Sequence, residues 1–108
     1  MYEPGGGRLK LGKVVGSVVA TRKDERLVGQ KLMIVRELML DKEGRFIPLY
    51  DGGCEVAVDL VGAGSGEIVI FTSGSSARSA CSGDASSPVD LAIVGIVDQA
   101  DVDKREIG

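Results

Sequence analysis

Apolar residues in this chain come in short runs broken by glycine, and almost nowhere at the three-and-four spacing of an amphipathic helix. That texture belongs to a small all-β domain. It predicts strands over residues 9–21, 31–40, 55–61, 67–72 and 89–97, with Gly12 and Gly16 as bends or bulges where the first strand coils round a barrel corner. A charged connection fills 22–29. Asp41-Lys42-Glu43-Gly44 is a turn, and residues 46–54, which contain Pro48 and Gly52-Gly53, read as a long loop. Residues 55–61 and 67–72 read as a hairpin around Gly62-Ala63-Gly64-Ser65-Gly66, residues 73–80 accommodate one short helical turn, and 82–88 form a Ser/Gly/Asp loop. The expected fold is a small five-stranded OB-like β-barrel with one short helical segment. It occupies residues 9–98, between a flexible glycine-rich extension at 1–8 and a polar tail at 99–108.

The parity of the apolar positions adds a second expectation. Glu55-Val56-Ala57-Val58-Asp59-Leu60 alternates cleanly, as a strand with one core face should. The other strands do not. In the second, Leu32, Ile34, Leu38 and Leu40 share one parity while Met33, Val35 and Met39 hold the other, and residues 68–71 and 91–97 are apolar on both faces. A small barrel has only one inside, so the extra faces need a cover. Another copy of the same chain is the simplest one; the tail and long loops of a monomer are the alternative.

Composition then removes chemistries. The 108 residues include no His, Trp or Asn, so the chain by itself builds no His-dependent nucleophile pair, no histidine base, no HExxH-type metal site and no N-glycosylation site. Cys54 and Cys81 are too few for a four-ligand zinc site and too far apart for a CxxC redox motif, and read as ordinary cytosolic thiols. No catalytic residue, cofactor or metal site is expected. Lys plus Arg number 13 against 16 Asp plus Glu, a net charge of −3, which lacks the basic footprint of a nucleic-acid binder. The longest uncharged stretch of note, residues 68–77, is too short and too rich in Ser and Thr to span a membrane, and residues 1–7 do not resemble a signal peptide. A cytoplasmic protein is expected. Charge is also uneven: residues 1–54 carry 10 Lys/Arg and 7 Asp/Glu, whereas residues 55–108 carry 3 and 9. Patches of opposite sign on one subunit permit head-to-tail contacts that close into rings.

Two glycine motifs invite nucleotide-binding readings and fail on context. Gly7-Arg8-Leu9-Lys10-Leu11-Gly12-Lys13 matches GxxxxGK, but Val14 stands where a P-loop needs Ser or Thr, and a strand follows in place of a helix N-terminus. Gly62-Ala63-Gly64-Ser65-Gly66-Glu67 starts like a dinucleotide fingerprint, yet Glu67 replaces the final Gly and both flanks read as strands. A tight turn with positive φ at several glycines accounts for it better. Ser73-Gly74-Ser75-Ser76-Ala77-Arg78 has no base to activate a serine and reads as a capped helical turn.

At these blocks the chain resembles the bacterial microcompartment vertex family, the pentameric EutN/CcmL shell proteins. The resemblance runs through Gly12-Lys13-Val14-Val15-Gly16-Ser17-Val18-Val19-Ala20-Thr21-Arg22-Lys23 and Leu27-Val28-Gly29-Gln30-Lys31-Leu32-Met33-Ile34-Val35. It continues in Asp59-Leu60-Val61-Gly62-Ala63-Gly64-Ser65-Gly66-Glu67, Ser73-Gly74-Ser75-Ser76-Ala77-Arg78 and Pro88-Val89-Asp90-Leu91-Ala92-Ile93-Val94-Gly95-Ile96-Val97-Asp98. The glycine-rich head and residues 81–87 depart from it. The resemblance implies a structural subunit, not an enzyme, that forms a pentamer and caps the vertices of a cytoplasmic protein shell, a metabolosome in preference to a carboxysome. Hexameric shell proteins are its implied partners, without nucleic acid or membrane. Candidate subunit-interface residues within the blocks are Gly62, Gly64, Gly66, Glu67, Ser75, Ser76 and Arg78. Arg78 also stands out by composition, as the only cation between Arg45 and Lys104. Three rivals remain: an OB-like protein-binding scaffold without a shell role, a nucleic-acid-binding OB module, and an enzyme built on Asp, Glu or Ser. The second would need exposed aromatics, and the chain offers only Tyr2, Phe46, Tyr50 and Phe71.

Overall fold

The computed structural model describes residues 8–49, 53–74 and 90–107. Six strands appear: β1 (Leu9–Val18), β2 (Lys31–Leu40), β3 (Phe46–Pro48), β4 (Cys54–Asp59), β5 (Ile68–Ser73) and β6 (Leu91–Ile96). Their order is β1-β5-β6-β4-β2-β3, and a further pairing of β1 with β2 closes five of them into a barrel, leaving β3 as an appendage of β2. The fold is therefore the all-β five-stranded barrel that the pattern predicts, and among the described residues helix is limited to a 3₁₀ turn at Glu25–Leu27 and one turn at Lys104–Ile107. Both lie in stretches that read as connection and tail. The helical turn expected over 73–80 falls mostly outside the described residues; Ser73 itself ends β5 and Gly74 follows it with φ +69°.

Local detail follows from partners. β2 matches its expected bounds, because Gly29, at φ +84°, precedes it and a tight turn follows it. In that turn Asp41 Oδ1 accepts from the backbone N–H of Glu43 at 2.9 Å and of Arg45 at 2.8 Å, while Gly44 takes φ +78°. β1 stops at Val18 and not at residue 21, because Val18 is opposite Leu32 and β2 starts at Lys31. The register of β1 on β2 slips between Val14 and Gly16, the bulge expected near Gly16. Gly12 is not a bulge. It pairs regularly with Glu37 and Val69, and a Cβ there would stand 2.5 Å from Val35 Cγ1 and 2.8 Å from Phe71 Cε1. The missing side chain is what lets β1 cross over Phe71.

The expected pairing of the 55–61 and 67–72 segments is wrong. β5 pairs with β1 and β6, and β6 returns between β5 and β4, antiparallel to the first and parallel to the second. Loop 60–67 thus crosses the end of the barrel instead of turning a hairpin. β3 was also unexpected: Pro48 reads as a loop signal, but a short edge strand with one free side tolerates proline.

The barrel interior holds Val14, Met33, Val35, Ala57, Ala63, Val69, Phe71 and Ile93, with Leu91 and Ile96 packed against them. A second, smaller cluster lies on the outside of the wall, where Val58 and Ala92 meet Leu27, Leu32 and Val94.

Candidate subunit interface

Loop 60–67 gathers four of the candidate residues, Gly62, Gly64, Gly66 and Glu67. Its conformation begins with Asp59, the last residue of β4, whose side chain is wholly buried. Asp59 Oδ1 accepts from the N–H of Val61 at 3.0 Å and of Gly62 at 3.1 Å, and Oδ2 accepts from Ala63 N–H at 2.8 Å. Three donors at the end of a strand thereby gain one acceptor group, and the chain is wound into a tight turn. The Lys31 ammonium stands 3.8 Å from the same carboxylate. Gly62 at φ +79° and Gly66 at φ +90° supply conformations that side chains resist. Between them Ala63 is fully buried and plugs the barrel end.

The far side of the loop is tied down as well. Glu67 Oε1 accepts from Gly64 N–H, Glu67 N–H donates to Gly64 O at 3.1 Å, and Gly66 N–H donates to Val14 O at 2.7 Å. Val14 N–H returns a bond to Glu67 O at 3.0 Å, which prolongs the β1–β5 ladder into the loop. Outward, Gly62, Ser65, Gly66 and Glu67 are exposed. The result is a hydrogen-bonded surface of glycines with Leu60 and Val61 exposed at its start, and both carboxylates are already engaged. Among the described residues no nucleophile faces a base here, and the fingerprint-like glycines lie between strands with no described helix N-terminus to present amides to a phosphate. Ser75, Ser76 and Arg78 lie outside the described residues, as does Cys81.

The outer wall carries a feature that the alternation of β4 concealed. Ala57 faces inward and Asp59 shares its parity, so Val56, Val58 and Leu60 face outward. Val56 is 51% exposed. The inward positions need a small Ala beside the Ala63 plug and an Asp to hold the loop, which leaves the valines to the outside. Val56 and Val58 line a groove of about 190 Å³ together with Leu27, Leu32, Asp90 and Leu91. A second apolar depression of about 170 Å³ lies on the outside of β1 and β5, formed by Leu9, Lys10, Leu11 and Ile70. Ile70 belongs to a strand that reads as apolar on both faces, whereas the groove at Val56 and Val58 lies on the strand that reads as cleanly alternating.

Elsewhere charges pair locally. Arg26 forks onto Asp24 and, through its side-chain and then its backbone hydrogen bond, lowers that carboxyl to about 2. The Arg45 N–H, and then the Arg45 side chain, hold Asp41 below the usual carboxylate range. Cys54 is an exposed free thiol. Among the described residues no group of three or more His, Cys, Asp or Glu could hold a metal, and no helix is long and apolar enough to cross a membrane.

Comparison with known proteins adds a lineage. A family model described as ethanolamine utilisation protein EutN/carboxysome matches residues 9–98. A shell vertex protein of bacterial microcompartments from Rhodospirillum rubrum, GrpN, is 52% identical over 88 residues, covering 82% of this chain and 91% of the relative. The carboxysome shell vertex protein CcmL of Gloeobacter violaceus is 38% identical over 99 residues, covering 92% of each. Among solved structures, the GrpN pentameric microcompartment shell protein from Rhodospirillum rubrum superimposes with a TM-score of 0.70 at 48% identity, covering 86% of this chain and 98% of that one.

Proposed function

The chain belongs to the EutN/carboxysome family of microcompartment vertex proteins, and on that premise we propose that it is a structural subunit that assembles into pentamers and caps the vertices of a microcompartment shell in the bacterial cytoplasm. The observation that carries this reading is a barrel finished on the inside and unfinished on the outside. Its interior is filled and its end is plugged, while the described residues leave two apolar depressions open on separate parts of the wall. A repeated subunit with two different uncovered faces is suited to a closed ring.

The role is geometric. Hexagonal tiles alone make a flat sheet, and a convex shell closes only where five-fold units replace six-fold ones. Hexameric shell proteins are accordingly the proposed partners at the rim of the pentamer. The shell is a metabolosome in preference to a carboxysome, since GrpN is 52% identical to this chain over 88 residues and the carboxysome relative 38% over 99. Loop 60–67 suits a position at the subunit boundary, because its exposed glycines allow close backbone approach and its hydrogen bonds fix its shape before assembly. Ser75, Ser76 and Arg78 complete the proposed boundary. Catalysis, a cofactor, nucleic acid and membrane have no part in the proposal: the net charge is −3, and the loop carboxylates are spent on the backbone.

The test is shell assembly with and without the protein. Co-expressed hexameric shell proteins are expected to yield closed polyhedra with it and elongated or open particles without it, seen by electron microscopy. Equally closed shells in both cases would refute the vertex role.

A further inference from the structure

The cations within the described strands are Lys10 and Lys13 on β1 and Lys31 and Arg36 on β2. They divide into two kinds. Lys10 pairs with Glu37 at 3.6 Å and Lys31 stands 3.8 Å from Asp59, whereas Lys13 and Arg36 have no ion-pair partner among the described residues. These two are directly opposed across the β1–β2 pairing, and both are exposed. They face outward, because Val14 and Val35, their neighbours along each strand, pack inside the barrel.

On the same outer row Ile68 stands beside Lys13 and Cys54 beside Arg36. The row from β5 to β4 therefore reads Ile68, Lys13, Arg36, Cys54, and it holds no carboxylate. Each acid next to it in the chain is directed elsewhere. Glu37 follows Arg36 but pairs with Lys10, Glu55 follows Cys54 but shares the inward parity of Ala57, and Glu67 precedes Ile68 but accepts from the Gly64 N–H. Like charges directly opposite each other destabilise a sheet, and no described residue offsets this pair.

We propose that Lys13 and Arg36 together bind the phosphate group of a small molecule on the outer wall of the barrel. Geometry and charge select that class. The guanidinium presents two parallel N–H donors to two oxygens and the ammonium supplies a third contact, which suits the three free oxygens of a phosphate. A phosphate monoester carries roughly −1.5 to −2 at neutral pH, close to one charge for each cation, whereas a carboxylate brings a single charge. A lone pair of cations on a chain of net charge −3 makes no continuous basic track, so the ligand is not a nucleic acid. One subunit supplies both residues, and the β1–β2 wall lies between the two apolar depressions and outside both, so the site does not depend on the ring reading.

Phosphorus NMR of inorganic phosphate and of glycerol phosphate, titrated with the wild-type protein in its native assembly at constant ionic strength, tests it. Both signals are expected to broaden and to saturate, and the one that saturates first identifies free phosphate or an ester as the better ligand. Lys13→Gln and Arg36→Gln are each expected to weaken binding at least about ten-fold, and Arg36→Lys, which keeps the charge but loses the fork, to weaken it less. Arg22→Gln, at an exposed cation in the connection after β1, is expected to leave binding unchanged. All of these positions are exposed, so the fold is retained, and circular dichroism checks that it is. The proposal is overturned if neither signal broadens, if the broadening never saturates, or if both glutamine variants retain it. It is equally overturned if acetate displaces the phosphate as well as an equal concentration of phosphate does.

Discussion

Loop 60–67 and the outer face of β4 are adjacent in sequence and opposite in construction. In the loop, one buried carboxylate satisfies three backbone donors, a second engages Gly64, and Ala63 closes the core. On the strand, Val56 lies half in water above a groove that nothing among the described residues fills. The first region completes itself within the subunit; the second is left for a neighbour. Substitutions in the loop should therefore be felt by the folded chain alone, and substitutions on the outer wall by the assembly.

The largest expected effect is on the self-contained side. Asp59→Ala strips the acceptor from three N–H groups, one of them buried, and should destabilise the subunit by about 3 kcal/mol in urea unfolding. A loss under about 1 kcal/mol would mean that the loop holds its shape without its anchor. Next comes Gly12→Val, which drives a branched side chain into Val35 and Phe71 and should cost about 1 to 3 kcal/mol. A neutral result would show that β1 can move off the core. Val56→Ser sharpens the contrast from the other side: the dissociated subunit should change by under about 0.5 kcal/mol, while the ring dissociates at higher protein concentration than wild type. Equal dissociation would remove Val56 from the contact.

The smallest effect is a pH response outside both regions. Asp24, held at about 2 by the fork of Arg26, has a folded pKa below its unfolded value. Its contribution is therefore fully present above about pH 4 and disappears as pH falls through about 2. Carboxyl NMR should place its midpoint near 2, and a midpoint near 4 would show that the fork is open in solution.

How much of this was legible in the sequence depended on how local the signal was. β2 has both bounds written beside it, in Gly29 before and the Asp41 turn after. The barrel class followed from glycine punctuation and the near absence of helical periodicity. The β4–β5 hairpin failed because strand order is set by distant partners: β6 enters between them, and no pattern in residues 55–72 records that. The facing of β4 was not written in its sequence at all. Alternation gives two faces but not which is inside. Ala57 is inside because the Ala63 plug leaves it little room, and Asp59 is inside because the loop needs its oxygens. That anchor was open to discovery, since an Asp ending a strand just before a run of glycines is a strong sign of a side-chain-capped turn. The blocks carrying Gly62, Gly64, Gly66 and Glu67 stood out through resemblance, and the structure shows how one loop holds them together.

The central claim is that the outer wall is finished by copies of the same chain. Native mass spectrometry of the purified wild-type protein, diluted stepwise through the micromolar range, tests it most directly. The account predicts one dominant species of five subunits that persists on dilution; a monomer throughout, with the barrel intact by circular dichroism, would contradict it.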